Sequence, residues 1–452
     1  MLTDRNRQIT ALLIAICLIG GGGVAYGLAN LAIQVTALAI LAVNGKSLAR
    51  FAKEAPWPLV VLTAATLALP LLQLVPMPQS LLGSLPGRDL ALEAFKAADY
   101  NGWAPFSLDH ARTLVAFAGL IAPATLLAIG FAIPASQLNR LSLVVIAAGL
   151  VNIALGVVQV LGNSGLSTLY PELPMPGVLF GTFANRNSTG LFLVCCLILL
   201  ATLPPARPTS MASLVKAAAA VLLATGVVLT QSRTSIVLMV IPTGLAIVVF
   251  VLRKVRDEVG SGMRASKALQ AMLAATAIAV TVIPLAGGSR IETSLARFEK
   301  GDEQRPRMWE DARFAAQRYW PVGAGMGTFD EVFQVDETLE YVSPRRAGRA
   351  HNDYIEIAVE AGAIGLGLCA LWALWVFWAS WRAIAAPARW QALSGTGILL
   401  AIALQSMLDY PLRNQTMLGV AALAILLLAR ARESVERAPG TSGAEPSAGA
   451  RA

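Results

Sequence analysis

The sequence predicts an all-α polytopic membrane protein with about twelve transmembrane helices and one large, mostly helical segment outside the membrane. Three observations predict it. Of 452 residues, 56% are hydrophobic and only 14% charged, with a mean hydropathy of +0.64, whereas a soluble domain carries about a quarter charged residues. Apolar runs long enough to cross a bilayer, roughly 20 residues each, recur along nearly the whole chain. A single charged segment of 63 residues, Gly288 to Ala350, interrupts them late. Lipid offers the backbone no hydrogen-bond partners, so repeated apolar runs of that length are helices.

The predicted spans fall at 9–28, 29–45, 57–75, 111–132, 140–161, 187–203, 214–231, 233–252, 267–287, 351–381, 389–409 and 413–430. The first two join through the glycines Gly20 to Gly23 and Gly27, and the seventh and eighth meet near Arg233. Four regions follow: spans one to nine with short loops over 1–287, a lid-like outer domain over 288–350, spans ten to twelve over 351–430, and a tail over 431–452. The tail is rich in Gly, Ala, Ser and Pro and reads as disordered. The first span, after Arg5 and Arg7, resembles a signal peptide but reads better as a membrane anchor.

Lys and Arg placement orients the bundle. With the N-terminus in the cytoplasm, every short inner loop carries positive charge, among them Lys46, Arg50, Lys53, Arg140, Arg253, Lys254, Arg382 and Arg430. An even number of spans returns the C-terminus to the same side. The 288–350 insert breaks the pattern, with Arg290, Arg297, Lys300, Arg305, Arg307, Arg313, Arg318, Arg345, Arg346 and Arg349 outside. The rule counts short loops, and so much outer positive charge is best understood as binding something anionic. The net charge of +8 is split between two membrane faces, which argues against nucleic-acid binding.

Within the insert, Met308, Ala312, Ala315 or Ala316 and Tyr319 recur at helical spacing, predicting a helix over 305–320. Pro321 and the glycines Gly323, Gly325 and Gly327 stop it in a tight turn; no strand precedes this Gly-x-Gly-x-Gly run, so it is no phosphate loop. Cys17, Cys195, Cys196 and Cys369 all lie in apolar spans and read as small core residues.

Few residues can carry chemistry. His351 stands where the insert enters the tenth span, and a neutral imidazole there can take a proton from a hydroxyl. Asp353, Glu356 and Glu360 follow at spacings that put them on one helix face. Glu360 would lie about 13 Å deeper than His351, where a carboxylate needs a partner or water. The alternative is that His351 only caps the helix and Glu360 is a structural ion-pair partner. His110, between Asp109 and Arg112, reads as structural. Arg186, between Asn185 and Asn187, and Arg233, between Ser232 and Thr234, stand at predicted outer helix ends. Each alone reads as snorkelling to the interface; together their guanidinium forks suit a diphosphate. Asp409 and Arg413 read as a structural turn. With no Asp-x-Asp, His-x-x-x-His or Cys/His cluster in the sequence, no metal and no cofactor is expected.

Ala350-His351-Asn352-Asp353-Tyr354, followed by Glu360-Ala361-Gly362-Ala363-Ile364-Gly365-Leu366, resembles the signature of the bacterial O-antigen ligase family, which also holds O-antigen and exopolysaccharide polymerases. Gly181-Thr182-Phe183-Ala184-Asn185-Arg186-Asn187, Ser232-Arg233, and Arg307-Met308-Trp309 with Pro321 to Gly327 agree in order, so the resemblance covers roughly 180–370. It implies a GT-C-type glycosyltransferase of the bacterial inner membrane with a periplasmic active site. It implies an inverting, metal-independent transfer of a glycan from undecaprenyl diphosphate to a lipid A–core sugar hydroxyl. His351 takes the place of the essential histidine, Arg186 and Arg233 those of diphosphate-holding arginines, with Arg307 a weaker third. Asn185, Asn187, Asn352, Asp353, Tyr354 and Glu360 would support them. Trp309, Tyr319 and Trp320 would offer a sugar-stacking surface. A polymerase joining two lipid-linked repeat units uses the same chemistry. A transporter or flippase of lipid-linked glycans is the reading of another class, though no internal repeat is visible.

Overall fold

The computed structural model describes residues 4–161, 169–170, 177–203, 210–257, 304–339, 348–386 and 388–431. Helices occupy eleven of the twelve predicted apolar stretches, while the ninth, 267–287, lies outside the described residues, as do the tail from 432 and parts of the insert. In order they are α1 (Arg5–Ile19), α2 (Gly27–Val43), α3 (Lys46–Glu54), α4 (Trp57–Gln73), α5 (Gln79–Leu82), α6 (Asp89–Ala97), α7 (His110–Gly119), α8 (Ile121–Gly130), α9 (Gln137–Leu161), α10 (Arg186–Thr202), α11 (Ser210–Leu229), α12 (Arg233–Leu238) and α13 (Val240–Asp257). After the insert begins come α14 (Gln304–Arg318), α15 (Phe329–Phe333), α16 (Asp353–Ala383), α17 (Arg389–Gln405) and α18 (Gln415–Ala429). A two-stranded antiparallel ribbon pairs Pro76–Met77 with Ala104–Pro105.

Among the described residues five helical stretches, taking α7 with α8 and α12 with α13, or six if the bent α2–α3 pair is one span, are long and apolar enough to cross a membrane. The protein is therefore mostly helical and built as a polytopic membrane protein. Leu28, Leu31, Val35 and Leu38 form an exposed apolar stripe on α2, the surface expected to face lipid. The opposite holds for α10, where every residue from Ser188 to Thr202 is buried. It is apolar on all sides and sits at the centre of the bundle, against α9, α11, α13 and α17. α17 and α18 form a hairpin that packs closely at Gly395, where a Cβ would sit 2.4 Å from the Ala424 carbonyl oxygen.

Outside the bundle α14 builds a second core. Ala312, Ala315 and Tyr319, the predicted stripe, are buried with Phe329, Val332, Phe333 and Val359. Tyr319 is thus not the sugar-stacking residue expected: it is 3% exposed and lies under the Arg88 guanidinium, 5.5 Å from its ring centre. Burying its ring completes the only apolar face α14 has. Arg88, itself buried, also donates to the carbonyls of Pro86, Phe106 and Gly323 and so ties the 76–110 loop to this outer core.

The tenth predicted span, 351–381, is corrected in one respect. α16 starts at Asp353 and is broken at Gly362 (φ 55, ψ −140), a left-handed backbone that only glycine enters without penalty. The Pro321–Gly327 turn fills the break. Ala324 N donates to Val359 O at 2.9 Å, Gly325 N to Glu360 O at 2.9 Å, and Ala363 N to Pro321 O at 2.8 Å. The first piece of α16, Asp353–Ala361, therefore ends as a separate short helix whose free carbonyls are capped by another segment. Its turn is built from left-handed Gly323, Gly325 and Gly327, so the glycine run does make a tight turn.

Candidate active site

Four helices begin around one short turn, Ser406–Asn414. Each start is closed by a neutral side chain: Asn185 Oδ1 accepts from Asn187 N on α10, Ser232 Oγ from Ser235 N on α12, Asn352 Oδ1 from Tyr354 N and Ile355 N on α16, and Asn414 Oδ1 from Met417 N on α18. Such residues are preferred there because their side chains satisfy otherwise orphaned N–H groups. Cross-links hold the four together: Asp353 N donates to Ser406 O, Asn352 Nδ2 to Met407 O, Asn414 Nδ2 to Ser188 Oγ, and Ser235 Oγ to Asn187 O. From the outer domain, Arg305 Nη1 donates to Leu408 O at 2.7 Å.

His351 stands at the rim of this ring. Its backbone is left-handed (φ 50), a conformation that costs a non-glycine residue about 1–2 kcal/mol and persists only where the surroundings enforce it. Its Nδ1 lies 3.2 Å from Asp409 Oδ1, and its ring packs 5.0 Å from the centre of Tyr410. Asp409 is fully buried and its other oxygen accepts from Asn185 Nδ2 at 2.9 Å. With Asp409 as a carboxylate and the ring neutral, Nδ1–H would donate and leave the lone pair on Nε2. The imidazole is about one-third exposed, so it remains within reach of a second molecule. His351 does not cap the helix; Asn352 does.

Beneath lies an ionic cluster. Arg413 meets Asp353 at 3.4 Å, Glu356 at 3.1 Å and Glu360 at 2.9 Å, all three carboxylates being buried. The predicted single acidic face is real, and its partner is the residue expected to serve only a turn. Arg349 gives Glu356 a second cation at 3.2 Å and lies over the Tyr410 ring. Ala350 N donates to Glu356 Oε1 and Ser406 Oγ to Asp353 Oδ2. Burial beside Asp409 pushes the Tyr410 hydroxyl well above its usual range, so it stays protonated. Burial cuts the other way for Arg88 in the outer loop, lowering it to about 10.

The turn opposite Glu360 is fixed by Gln73, which donates to Glu360 O at 3.1 Å and accepts from Met326 N at 2.8 Å. No pattern in the sequence singles out a glutamine at the end of an apolar span. Asp409 and Arg413 had a usable signal: two charges flanking a proline between apolar runs, with nearby buried carboxylates short of a cation.

The remaining expected residues fall as follows. Arg186 opens α10 next to Asn185, and Asn187 is the second residue of that helix. Arg233 opens α12, whose Ser235 bonds to Asn187 O. Both arginines thus begin helices of the ring that includes His351. Arg307 is exposed in the first turn of α14. Tyr354 is tied away by its hydroxyl, which donates to Ala403 O, and Trp309 Nε1 donates to Ala350 O, bracing the backbone before His351. His110 is exposed at the start of α7. Among the described residues no group of three or more His, Cys, Asp or Glu side chains is arranged to hold a metal ion.

No curated protein matches the chain. A protein-family model described as O-antigen ligase matches residues 218–370, the stretch that holds Arg233, Arg307, His351 and the three buried carboxylates, and this match supports the O-antigen ligase family.

Proposed function

We propose that the protein transfers a glycan from an undecaprenyl-diphosphate carrier to a hydroxyl of the lipid A–core, on the periplasmic side of the bacterial inner membrane. The observation that carries this reading is the His351–Asp409 pair at 3.2 Å, set at the rim of four converging helix starts. Asp409 fixes the tautomer, and Nε2 of His351 takes the proton of the acceptor hydroxyl. The acceptor oxygen bonds to the anomeric carbon from the face opposite the carrier, with inversion. The bond from that carbon to the diphosphate oxygen breaks, and the diphosphate leaves with the electron pair.

Negative charge developing on the diphosphate needs fixed donors. In this reading Arg186 and Arg233 supply them, with Arg307 from the outer domain, and no metal ion takes part. The four caps of the ring are all Asn or Ser. Helix N-termini carry partial positive charge, which acidic groups there offset; at α10, α12 and α18, which have neither an acidic cap nor an acid in the first turn, it is left for an anion. The same proposal includes a twelve-span GT-C-type bundle with both termini cytoplasmic and the 288–350 segment closing over the donor as a lid.

The test uses purified protein, an undecaprenyl-diphosphate-linked glycan and lipid A–core as acceptor, with chelator present. His351→Ala is expected to abolish transfer while donor binding persists. Retained transfer in that variant overturns the assignment of the base, and loss of wild-type transfer on chelation overturns the metal-free reaction. Transfer only to a second lipid-linked glycan, not to lipid A–core, identifies a polymerase instead.

A further inference from the structure

The end of the bundle away from His351 carries a surface that glycan transfer does not use. Gly20, where α1 ends, lies against Thr416 at the start of α18, one of the four helix starts around the Ser406–Asn414 turn, while at the other end of α1 Arg5 Nε donates to Asn44 Oδ1, just after α2. α2 runs 17 residues, about 25 Å, and therefore delivers α3 to the opposite face. There the chain bends by 84° between α2 and α3. A helix perpendicular to one that faces lipid along its length lies along the membrane surface.

The two sides of α3 differ. Ser47, Phe51 and Ala55 face the protein, and the Phe51 ring packs 5.4 Å from that of Phe131. This holds the helix at a fixed height. On the other side Lys46, Arg50 and Lys53 recur at spacings of four and three and so form one stripe, beside exposed Leu48, Ala49 and Ala52. Glu54 is the one carboxylate of the helix and is spent on Arg50 at 2.7 Å. Among the described residues neither Lys46 nor Lys53 pairs with an acid. Trp57, 76% exposed, follows at the start of α4, at the level where indole rings favour the headgroup layer.

We propose that α3 lies in the membrane plane and is a docking surface for the headgroups of anionic phospholipids. Apolar Leu48, Ala49 and Ala52 reach the acyl boundary, while the basic stripe meets the phosphates. This rests on the chain's being a membrane protein and not on the glycan reaction, so the two can fail separately.

The test places a bimane fluorophore at Ala52→Cys in the full-length protein with Cys369→Ser, the other cysteines being buried. Reconstituted vesicles then contain phosphatidylglycerol or phosphatidylcholine brominated near the glycerol end of the acyl chains. Quenching is expected with both, reaching half-maximum at about fivefold less brominated phosphatidylglycerol, the preference that roughly one surface cation confers. The preference should vanish in 1 M salt and in Lys46→Gln/Arg50→Gln/Lys53→Gln. Should that variant not reconstitute, Lys46→Gln/Lys53→Gln, which alters only exposed side chains without acid partners, should weaken it. Equal curves for the two lipids, a preference that survives the substitutions, or no quenching by either lipid overturns the proposal.

Discussion

Arg413→Met is the perturbation whose outcome the structure constrains most. The arginine contacts three buried carboxylates, at 2.9, 3.1 and 3.4 Å. At such distances each pair is worth about 5 kcal/mol with an effective dielectric constant of roughly 20. The three do not add, because Arg349 stays on Glu356, Ser406 on Asp353 and the Ala350 amide on Glu356. Removing one partner of a buried pair typically costs about 3–5 kcal/mol, since the other charge stays behind without compensation. We therefore expect Arg413→Met to destabilise the protein by at least about 3 kcal/mol. Purified wild type and variant, titrated with denaturing detergent and followed by near-ultraviolet circular dichroism, measure it. Glu360→Gln in the Arg413→Met background should recover about 1 kcal/mol or more, because it removes a charge that lost its counterion. A loss below about 1 kcal/mol in the single variant, or no recovery in the double one, would refute the claim that Arg413 holds the cluster together.

Three other variants probe the geometry at separate points. Asp409→Asn should leave the fold and donor binding intact but lower the transfer rate by about 100-fold or more, since an amide no longer selects the tautomer with a free Nε2; a rate within about threefold of wild type sinks the pair. Gly362→Ala puts a Cβ 2.1 Å from the Pro321 carbonyl oxygen at a left-handed backbone, so it should cost more than about 2 kcal/mol in the same detergent titration, and a neutral result would mean that the helix is not broken there. Gln73→Leu deletes the bridge between Glu360 O and Met326 N and should cost about 1–3 kcal/mol, with faster amide exchange at Met326 as the local readout; unchanged exchange would show the turn is held by other contacts.

How much of this was legible in the sequence depends on the range of the physics involved. Hydropathy is local, and the apolar stretches became helices wherever they are described. The stripe of Met308, Ala312, Ala315 and Tyr319 was local too and located the outer core. Periodicity finds a buried face but says nothing of what lies against it, so it cannot show that the Tyr319 ring is covered by Arg88, over two hundred residues earlier. The need of Glu360 for a partner was foreseeable from the cost of a buried charge. The identity of the partner was not, because Arg413 lies 53 residues on, beyond the helix α17. His351 and Asp409 are 58 residues apart for the same reason.

The left-handed backbone of His351 and the break at Gly362 belong to one design. Between them lies a helix of only nine residues, Asp353–Ala361, pinned at its start by the Asn352 cap and at its end by the Pro321–Gly327 turn. A continuous helix from the insert into the membrane would carry Asp353, Glu356 and Glu360 with every tilt of the transmembrane part. The glycine break separates the two, so the short piece answers to Arg413, Gln73 and the outer core rather than to α16 below it. The strain at His351 has a matching cause. Asn352 must be extended to cap the helix, Trp309 holds the Ala350 carbonyl, and Asp409 holds the imidazole. With three anchors around one residue, the backbone takes the conformation that satisfies all of them. Replacing His351 by Gly or by Ala removes the imidazole in both cases, so the comparison isolates the backbone: the Gly variant should exceed the His351→Ala protein by about 1 kcal/mol in the detergent titration. If Ala is the more stable of the two, the Asn352 cap and the Trp309 contact do not enforce the left-handed backbone, and the account of the strain fails.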